Sequence, residues 1–427
     1  MRKSASSFRA RSDRKVEKCL KGHGEVICMQ CVILAAGEGK RMRPLTANRP
    51  KVMLPLANKP MAAHLLTEAR DAGISDFIFV VGYQEQEVRD YFGDGTDFGV
   101  RIRYTTQRYQ RGTADALRAA EGMISGLFLM LNGDMVVKSQ DVTKFLEMKP
   151  PSLGIYRSDH PKDYGVIVME EDKVTTLEEK SERPKSSLIN AGMYLLTPGI
   201  FGILKELSSS PRGEYELTDA LMFSITNREL TGYLLSSWLD VGYPWDLLDA
   251  NAVLLENIPC ANYGILEDDV QIRGKVSIGK GTVVKSGTYI EGPCLIGDNC
   301  TIGPHTFLRG ATSIGNGCHI GHSTEIKNSV IMNNTKIPHF NYIGDSVVGS
   351  GCNFGAGTKV ANLRHDHGTV KIHGIDTRRS KMGAVIGDDV RFGINCSVNV
   401  GTVIGSRVSV APHCFIEGWI ADETKVR

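Results

Sequence analysis

Two groups of residues in this 427-residue sequence have types and spacings suited to binding phosphorylated ligands. The first is LAAGEGKRMRPLTANRPKVMLPL, residues 34–56, which follows an apolar run. Gly37 and Gly39 let successive backbone N–H groups approach an anion closely, and Arg41 and Lys51 supply charge to neutralise a triphosphate. It is not a Walker loop, because GxxxxGK[ST] is absent. A GxG after a strand is by itself equally a structural turn; the two basic residues favour a nucleotide. Asp134 in LNGDMVV and Asp240 in SSWLDVGYPWD end further apolar runs. Carboxylates at strand ends facing such a loop are candidate ligands for a magnesium ion, though Gly-Asp pairs are also common in plain turns.

The second group surrounds IMNNTKIPHFNYIGD, residues 331–345, where Pro338 and His339 interrupt a regular aliphatic spacing. A second interruption, ANLRHDHGTVKIHGIDTRRSKMGAV at 361–385, is basic and rich in histidine, which suits a phosphorylated ligand. A surface histidine beside a turn proline and a solvated basic loop account for the same spacing equally well.

The elements that must position these residues fall into two regions. From Cys31 to about Asn251, the runs CVILAAG, DFIFVVG and GLFLMLNGD read as strands buried on both faces. MAAHLLTEARDAG and TADALRAAEGMI between them carry helical spacing. Alternating strand and helix predicts a mostly parallel, Rossmann-like sheet with helices on both faces, binding ligands at the carboxyl ends of its strands. After about Ala261 an aliphatic residue returns every sixth position: Leu266, Ile272, Ile278, Val284, Ile290, Ile296, Ile302, Leu308, Ile314, Ile320, Ile326 and Met332. The period resumes through Val348, Phe354 and Val360, then from Ile386 to Ile416. Such a period predicts a solenoid of short parallel strands, three to a coil, with stacked aliphatics inside. The rhythm is expected to fail at Pro338 because His339 leaves the wall to face a cleft.

Residues 31–251 resemble the sugar-phosphate nucleotidyltransferases, which join a sugar 1-phosphate to a nucleoside triphosphate and release pyrophosphate. The family's G-x-G-x-R-x-x-P-x-T is matched by Gly37, Gly39, Arg41, Pro44 and Thr46, and Lys51 matches the lysine that meets the triphosphate. Lys40 stands where a threonine is frequent. The resemblance implies that Leu34, Ala36, Gln107, Gly112 and Thr113 contact the nucleotide, and that Asp134 and Asp240 hold Mg²⁺. It implies Gly165, Glu179 and Asn190 as sugar contacts. The hexapeptide period resembles the left-handed parallel β-helix. Residues 309–366 resemble the acetyltransferase half of the bifunctional N-acetylglucosamine-1-phosphate uridyltransferase and glucosamine-1-phosphate acetyltransferase family. By that resemblance Arg309 and Lys327 clamp the sugar phosphate, His339 is the base, and Tyr342, Asn353, Asn362 and Lys371 are substrate contacts, with Lys381 an alternative to Lys371. The segment HGIDTRRSKMGAVIGDDVRFGINCSVNVG is more similar to archaeal members, which leaves glucosamine and galactosamine 1-phosphate both open.

Composition narrows the remaining classes. With 50 basic against 48 acidic residues the charge is nearly balanced, which argues against a general nucleic-acid or membrane-surface binder. No apolar run is long enough to span a membrane. Ten cysteines, including a lone Cys28–Cys31 CxxC, read as reduced thiols of a cytoplasmic protein rather than a zinc site. Residues 1–28 are basic and polar and read as a disordered extension, or as residues upstream of a true start at Met29. The expected organisation is therefore an α/β nucleotidyltransferase domain at 29–255 followed by a β-helix at 261–425. Acetyl-coenzyme A and UTP or dTTP are the expected co-substrates, and a homotrimer is expected because the acetyl-coenzyme A pocket of this kind of β-helix needs a neighbouring chain. Two alternatives are a glucose-1-phosphate thymidylyl- or uridylyltransferase with an inert β-helix, and a catalytically dead assembly subunit.

Overall fold

A computed structural model describes residues 29–210 and 213–427. The expected N-terminal extension, with Cys28 of the CxxC, lies outside the described residues. By its contacts the chain divides into two compact units: residues up to 37 with 62–239, and residues 38–61 with 240–427.

The first unit is built on a nine-stranded sheet. Its first four strands, in the spatial order Arg101–Thr106, Asp76–Val81, Gln30–Ala35, Phe128–Asn132, are parallel throughout. Phe77 to Val81 are all fully buried, as are Cys31, Val32 and Ile33, so these strands read as unbroken apolar runs. The chain order reverses between Gln30–Ala35 and Phe128–Asn132, so the loops starting at Ala36 and at Gly133 leave the carboxyl ends of adjacent strands. The expectation of a mostly parallel sheet holds for this half alone. Leu188–Leu196 runs antiparallel to Phe128–Asn132, Ser152–Arg157 and Gly165–Glu170, and the hairpin Gly165–Glu170/Lys173–Glu179 closes the far edge. These strands are joined by short hairpin connections as well as helices, which permits antiparallel pairing.

The second unit contains the left-handed β-helix. Parallel strands stack into a nine-stranded face, an eight-stranded face, and a third face split into five and three strands. Asn353 bridges that split, pairing with Lys336 on one side and Arg391 on the other. The aliphatic file forms the core as expected from Ile278 onward. Leu266 and Ile272, in the first coil, are more than a third exposed because no coil lies beneath them.

The account of the broken rhythm needs correction. Ile337 and Ile343 are both fully buried in the file, and Lys336–Ile337 and Tyr342–Gly344 remain in the wall. The count fails because one residue is missing at a corner: the core steps from Ile326 to Ile331, not to Met332, and again from Ile343 to Val348. Both contractions, and the excursion at 361–383, occur at the same edge of the prism, where the eight-stranded face turns into the nine-stranded one. His339 lies on the preceding edge, at a regular corner.

Candidate active site

In the glycine-bracketed loop at 34–56, Gly39 adopts a left-handed φ of 70° and its carbonyl accepts from the Met42 N–H (2.8 Å) and the Thr46 hydroxyl (3.0 Å). A Cβ on Gly39 would lie 2.7 Å from the Lys51 Cβ, so glycine is what lets Lys51 fold against the loop. Met42, Leu45 and Leu54 are fully buried and anchor the loop, while Arg41 stays exposed with its guanidinium 5.0 Å from the centre of the Tyr243 ring. Tyr243 in turn stacks on Trp245 at 4.6 Å. A Cβ on Gly242 would lie 3.2 Å from the Asp240 carboxylate, 3.6 Å from that of Asp246 and 3.9 Å from the Arg41 guanidinium, so two carboxylates and a cation surround this turn. Burial pushes the Asp246 carboxyl up to about 6 against the lowering pull of backbone donors and Lys51.

Leu34, Ala36, Gly37 and Asp134 sit at the switch point of the first unit's sheet. Gly133 N–H donates to Leu34 O (3.0 Å), and Asp134 follows directly. Gln107 is buried, donating to the Asp115 carboxylate (2.9 Å) and the Gly112 carbonyl (3.2 Å). Gly112 has φ 101°, and a Cβ there would strike the Tyr215 carbonyl at 2.5 Å, while Thr113 Oγ1 accepts from the Leu217 N–H. Gln110, which sequence reasoning passed over, ties this segment to the phosphate loop by donating to Ala36 O (2.9 Å). The three expected sugar contacts come together as well: a Cβ on Gly165 would lie 2.8 Å from the Glu179 carboxylate and 3.5 Å from Asn190 Cβ.

Among the described residues no group of three or more His, Cys, Asp or Glu side chains could hold a metal by itself. Asp134 and Asp240 each offer hard carboxylate oxygens, the donor type that magnesium takes alongside waters and substrate phosphate oxygens.

On the eight-stranded face of the β-helix, Phe307–Arg309, Glu325–Lys327 and Tyr342–Gly344 lie in register. Leu308, Ile326 and Ile343 point inward, so the residues on either side of them form two outward columns. One column runs Phe307, Glu325, Tyr342, Lys359; the other runs Arg309, Lys327, Gly344. Gly344, next in the column of the two cations, leaves room that the Tyr342 hydroxyl and the Asn362 amide fill: a Cβ there would lie 2.5 Å from the hydroxyl and 2.7 Å from the amide nitrogen. The following residue, Asp345, is a carboxylate 4 % exposed that accepts from Lys327 Nζ (3.0 Å), Asn328 Nδ2 (2.7 Å) and Asn362 Nδ2 (2.5 Å). Arg309 is gripped by Glu325 through Nε and Nη2, both at 2.7 Å. An ammonium has three donors and a guanidinium five, so both cations keep donors for a phosphate after these contacts. Burial, then the charges of Glu325 and Asp345, push the Tyr342 phenol up, which keeps it a hydrogen donor.

His339 is exposed at the corner leading into Tyr342. Its carbonyl accepts from the Gly357 N–H (3.0 Å), and Lys359 braces the same corner through the Phe340 carbonyl. His319 on the next coil is held below the usual imidazole range by burial and by the positive neighbours Lys285, His339 and Lys336. The remaining two expected contacts are placed differently. Asn353 lies on the neighbouring face, in an open groove of about 540 Å³ lined by Lys336 and Arg391. Lys371 lies on an exposed hairpin strand opposite Asp376. Sequence reasoning missed Glu325 and Asp345, although both stand at fixed places beside the expected cations: Glu325 two residues before Lys327, and Asp345 directly after the strand that carries Tyr342.

Comparisons with known proteins find relatives over nearly the whole chain. The nucleotidyl transferase family model matches residues 30–257, and a model described as the GMPPB C-terminal domain matches residues 290–425. The chain is 38 % identical to the bifunctional protein GlmU of Methanocaldococcus jannaschii, with 93 % of this chain and 97 % of that protein aligned. It is 40 % identical, at the same coverage of both chains, to the bifunctional protein GlmU of Methanococcus maripaludis. A bifunctional sugar-1-phosphate nucleotidylyltransferase/acetyltransferase of Sulfurisphaera tokodaii is 38 % identical, covering 91 % and 97 %. Among solved structures, a Bacillus anthracis candidate glucose-1-phosphate thymidylyltransferase, in complex with sucrose, superimposes with a TM-score of 0.51 at 30 % identity, covering 55 % of this chain and 97 % of that one.

Proposed function

Because this chain belongs to the nucleotidyl transferase family, in the bifunctional form that adds an acetyltransferase, we propose that it makes UDP-N-acetylglucosamine from glucosamine 1-phosphate. In this reading residues 261–425 acetylate the amino sugar phosphate from acetyl-coenzyme A, and residues 29–255 transfer a uridylyl group from UTP to the product. The observation that carries it is the set of Arg309, Lys327, Tyr342 and Asn362 gathered around the Asp345 and Glu325 carboxylates, with His339 at the adjoining corner. An inert assembly module would have no use for a buried carboxylate that spends its oxygens on holding a lysine and an asparagine.

In acetyl transfer, Arg309 and Lys327 hold the phosphate, and Tyr342 and Asn362 bound the sugar. The His339 imidazole takes the proton released as the amine nitrogen bonds to the thioester carbonyl carbon. The tetrahedral intermediate then collapses, the carbon–sulfur bond breaks, and coenzyme A leaves as a thiol once its sulfur takes the proton held by the His339 imidazolium. In uridylyl transfer, a phosphate oxygen of the sugar 1-phosphate attacks the α-phosphorus in line, and pyrophosphate departs. The nucleophile is already ionised, so no base is needed, and the chain's work is positioning and charge neutralisation by Arg41 and Lys51. Asp134 and Asp240 would hold Mg²⁺, which neutralises developing phosphate charge when bound. Exposed Phe340, Ile394 and Phe415 on the β-helix suit assembly into a trimer. All eight cysteines among the described residues are free thiols, which suits the cytoplasm.

The test is mass spectrometry of the full chain with acetyl-coenzyme A and either glucosamine or galactosamine 1-phosphate, followed by UTP or dTTP with Mg²⁺. The expected products are acetylated glucosamine 1-phosphate and then UDP-N-acetylglucosamine with pyrophosphate. Nucleotide sugar without any acetylated intermediate would leave the second reading, a nucleotidyltransferase with an inert β-helix, whose nucleotidyltransferase part alone is what the Bacillus anthracis structure resembles. The close packing of Tyr342 and Asn362 on Gly344 gives a sharper check. Gly344→Ala is expected to raise the KM for the amino sugar phosphate about tenfold by crowding Tyr342 and Asn362. Its melting temperature should stay near wild type, since the obstructing atoms are side-chain ends.

A further inference from the structure

At one edge of the β-helix each coil presents a polar side chain that accepts a backbone N–H from the coil before. Asp298 Oδ1 takes the Lys280 N–H, Asn316 Oδ1 that of Asp298, Asn333 Oδ1 that of Asn316, and Asp422 Oδ1 that of Ser406. Asp388 Oδ1 does the same for Ser350 (2.8 Å), and Ser406 Oγ meets the Asp388 N–H (3.1 Å). This ladder needs one acceptor atom per coil, and aspartate, asparagine and serine all serve. Asp388 brings a second oxygen, and that oxygen is also occupied. Its Oδ2 accepts from Arg49 Nη2 at 2.5 Å and from Asn48 Nδ2 at 3.1 Å, with the carboxylate only 5 % exposed.

The same edge holds that segment at two further points. Met332 stands where neighbouring coils carry glycine (Gly297, Gly315, Gly349), and its sulfur meets Arg49 Nη1 at 3.2 Å. Asn58 Nδ2 donates to the Ile314 carbonyl at 2.7 Å. Asn48 and Arg49 lie between Arg41 and Lys51, in a stretch that also carries Lys40 and Arg43. A loop with this much like charge does not hold its shape without counter-charges: Glu38 pairs with Arg43, and Asp388 pairs with Arg49.

We infer that Asp388, a β-helix residue, is a positioning residue for nucleotidyl transfer: through Arg49 and Asn48 it fixes the loop that presents Arg41 and Lys51 to the triphosphate. The acetyltransferase half is thereby a structural part of the other active site. This rests on the proposed role of Arg41 and Lys51.

The informative variant is Asp388→Ser in the full chain, because Ser406 already serves at the next rung, so a serine can keep the ladder while the Arg49 anchor is lost. Expected is a tenfold fall in kcat/KM for UTP, on the order of what a small misplacement of binding groups costs. The fall should appear mainly in the KM for UTP, with acetylation unchanged. Arg49→Ala should lose as much, and the double variant no more than about twofold beyond either single one. UTP kinetics of Asp388→Ser within twofold of wild type, or losses that multiply in the double variant, would overturn the inference. So would a lowered melting temperature with an unchanged KM for UTP, since that marks a purely structural anchor. Intact uridylyl transfer in Lys51→Met would instead strike the triphosphate reading itself.

Discussion

Replacing His339 by alanine is expected to slow acetylation of glucosamine 1-phosphate by about 10²–10⁴-fold, the usual worth of a general base. Uridylyl transfer to ready-made N-acetylglucosamine 1-phosphate should continue at the wild-type rate. The corner that carries His339 is held by backbone, through the Gly357 N–H and the Lys359 ammonium on the Phe340 carbonyl, so removing an exposed imidazole leaves the coil intact. The KM for the amino sugar phosphate should change little, because Arg309, Lys327, Tyr342 and Asn362 still bind it. Mass spectrometry avoids the background that the chain's thiols give in a dye assay. Acetylation that survived in His339→Ala at more than a tenth of the wild-type rate would remove His339 as the base. His319, on the next coil and held below the usual imidazole range by burial and positive neighbours, would then be the residue to test.

Lys51→Met is expected to have the opposite profile: uridylyl transfer down by about 10²–10³-fold, the typical cost of removing one group that stabilises developing charge in a closed site. Acetylation should be unaffected. Lys51 is 7 % exposed and lies against Gly39, so methionine keeps the hydrophobic stem and removes only the ammonium. The loss should appear in kcat as well as in the KM for UTP, because charge on the leaving pyrophosphate grows toward the transition state. A pyrophosphate-release assay within threefold of wild type would show that Lys51 is a buried structural lysine, one that serves Asp246 rather than the triphosphate.

Much of the candidate site is legible as local chemistry. The glycine-bracketed loop, the basic residues behind it and the strand-end aspartates are close in sequence to the elements that position them. The six-residue period also survives translation into structure, since stacked coils bury one aliphatic residue per side and local spacing alone dictates which. The period was misread at Met332, because a one-residue contraction looks like a lost beat until the core is seen stepping from Ile326 to Ile331. The same contraction frees Met332 to meet Arg49.

By itself, then, the amino-acid order determined the two architectures, the file of core residues and the candidate phosphate-binding cations. Tertiary structure alone decided which carboxylates hold those cations. Asp345 reaches Lys327 and Asn362 across neighbouring coils, and Asp388 reaches Arg49 from 339 positions away. Periodicity records burial, which each residue settles with its nearest coil. An ion pair depends on register and on which edge of the prism two distant segments share, and no local pattern carries that information.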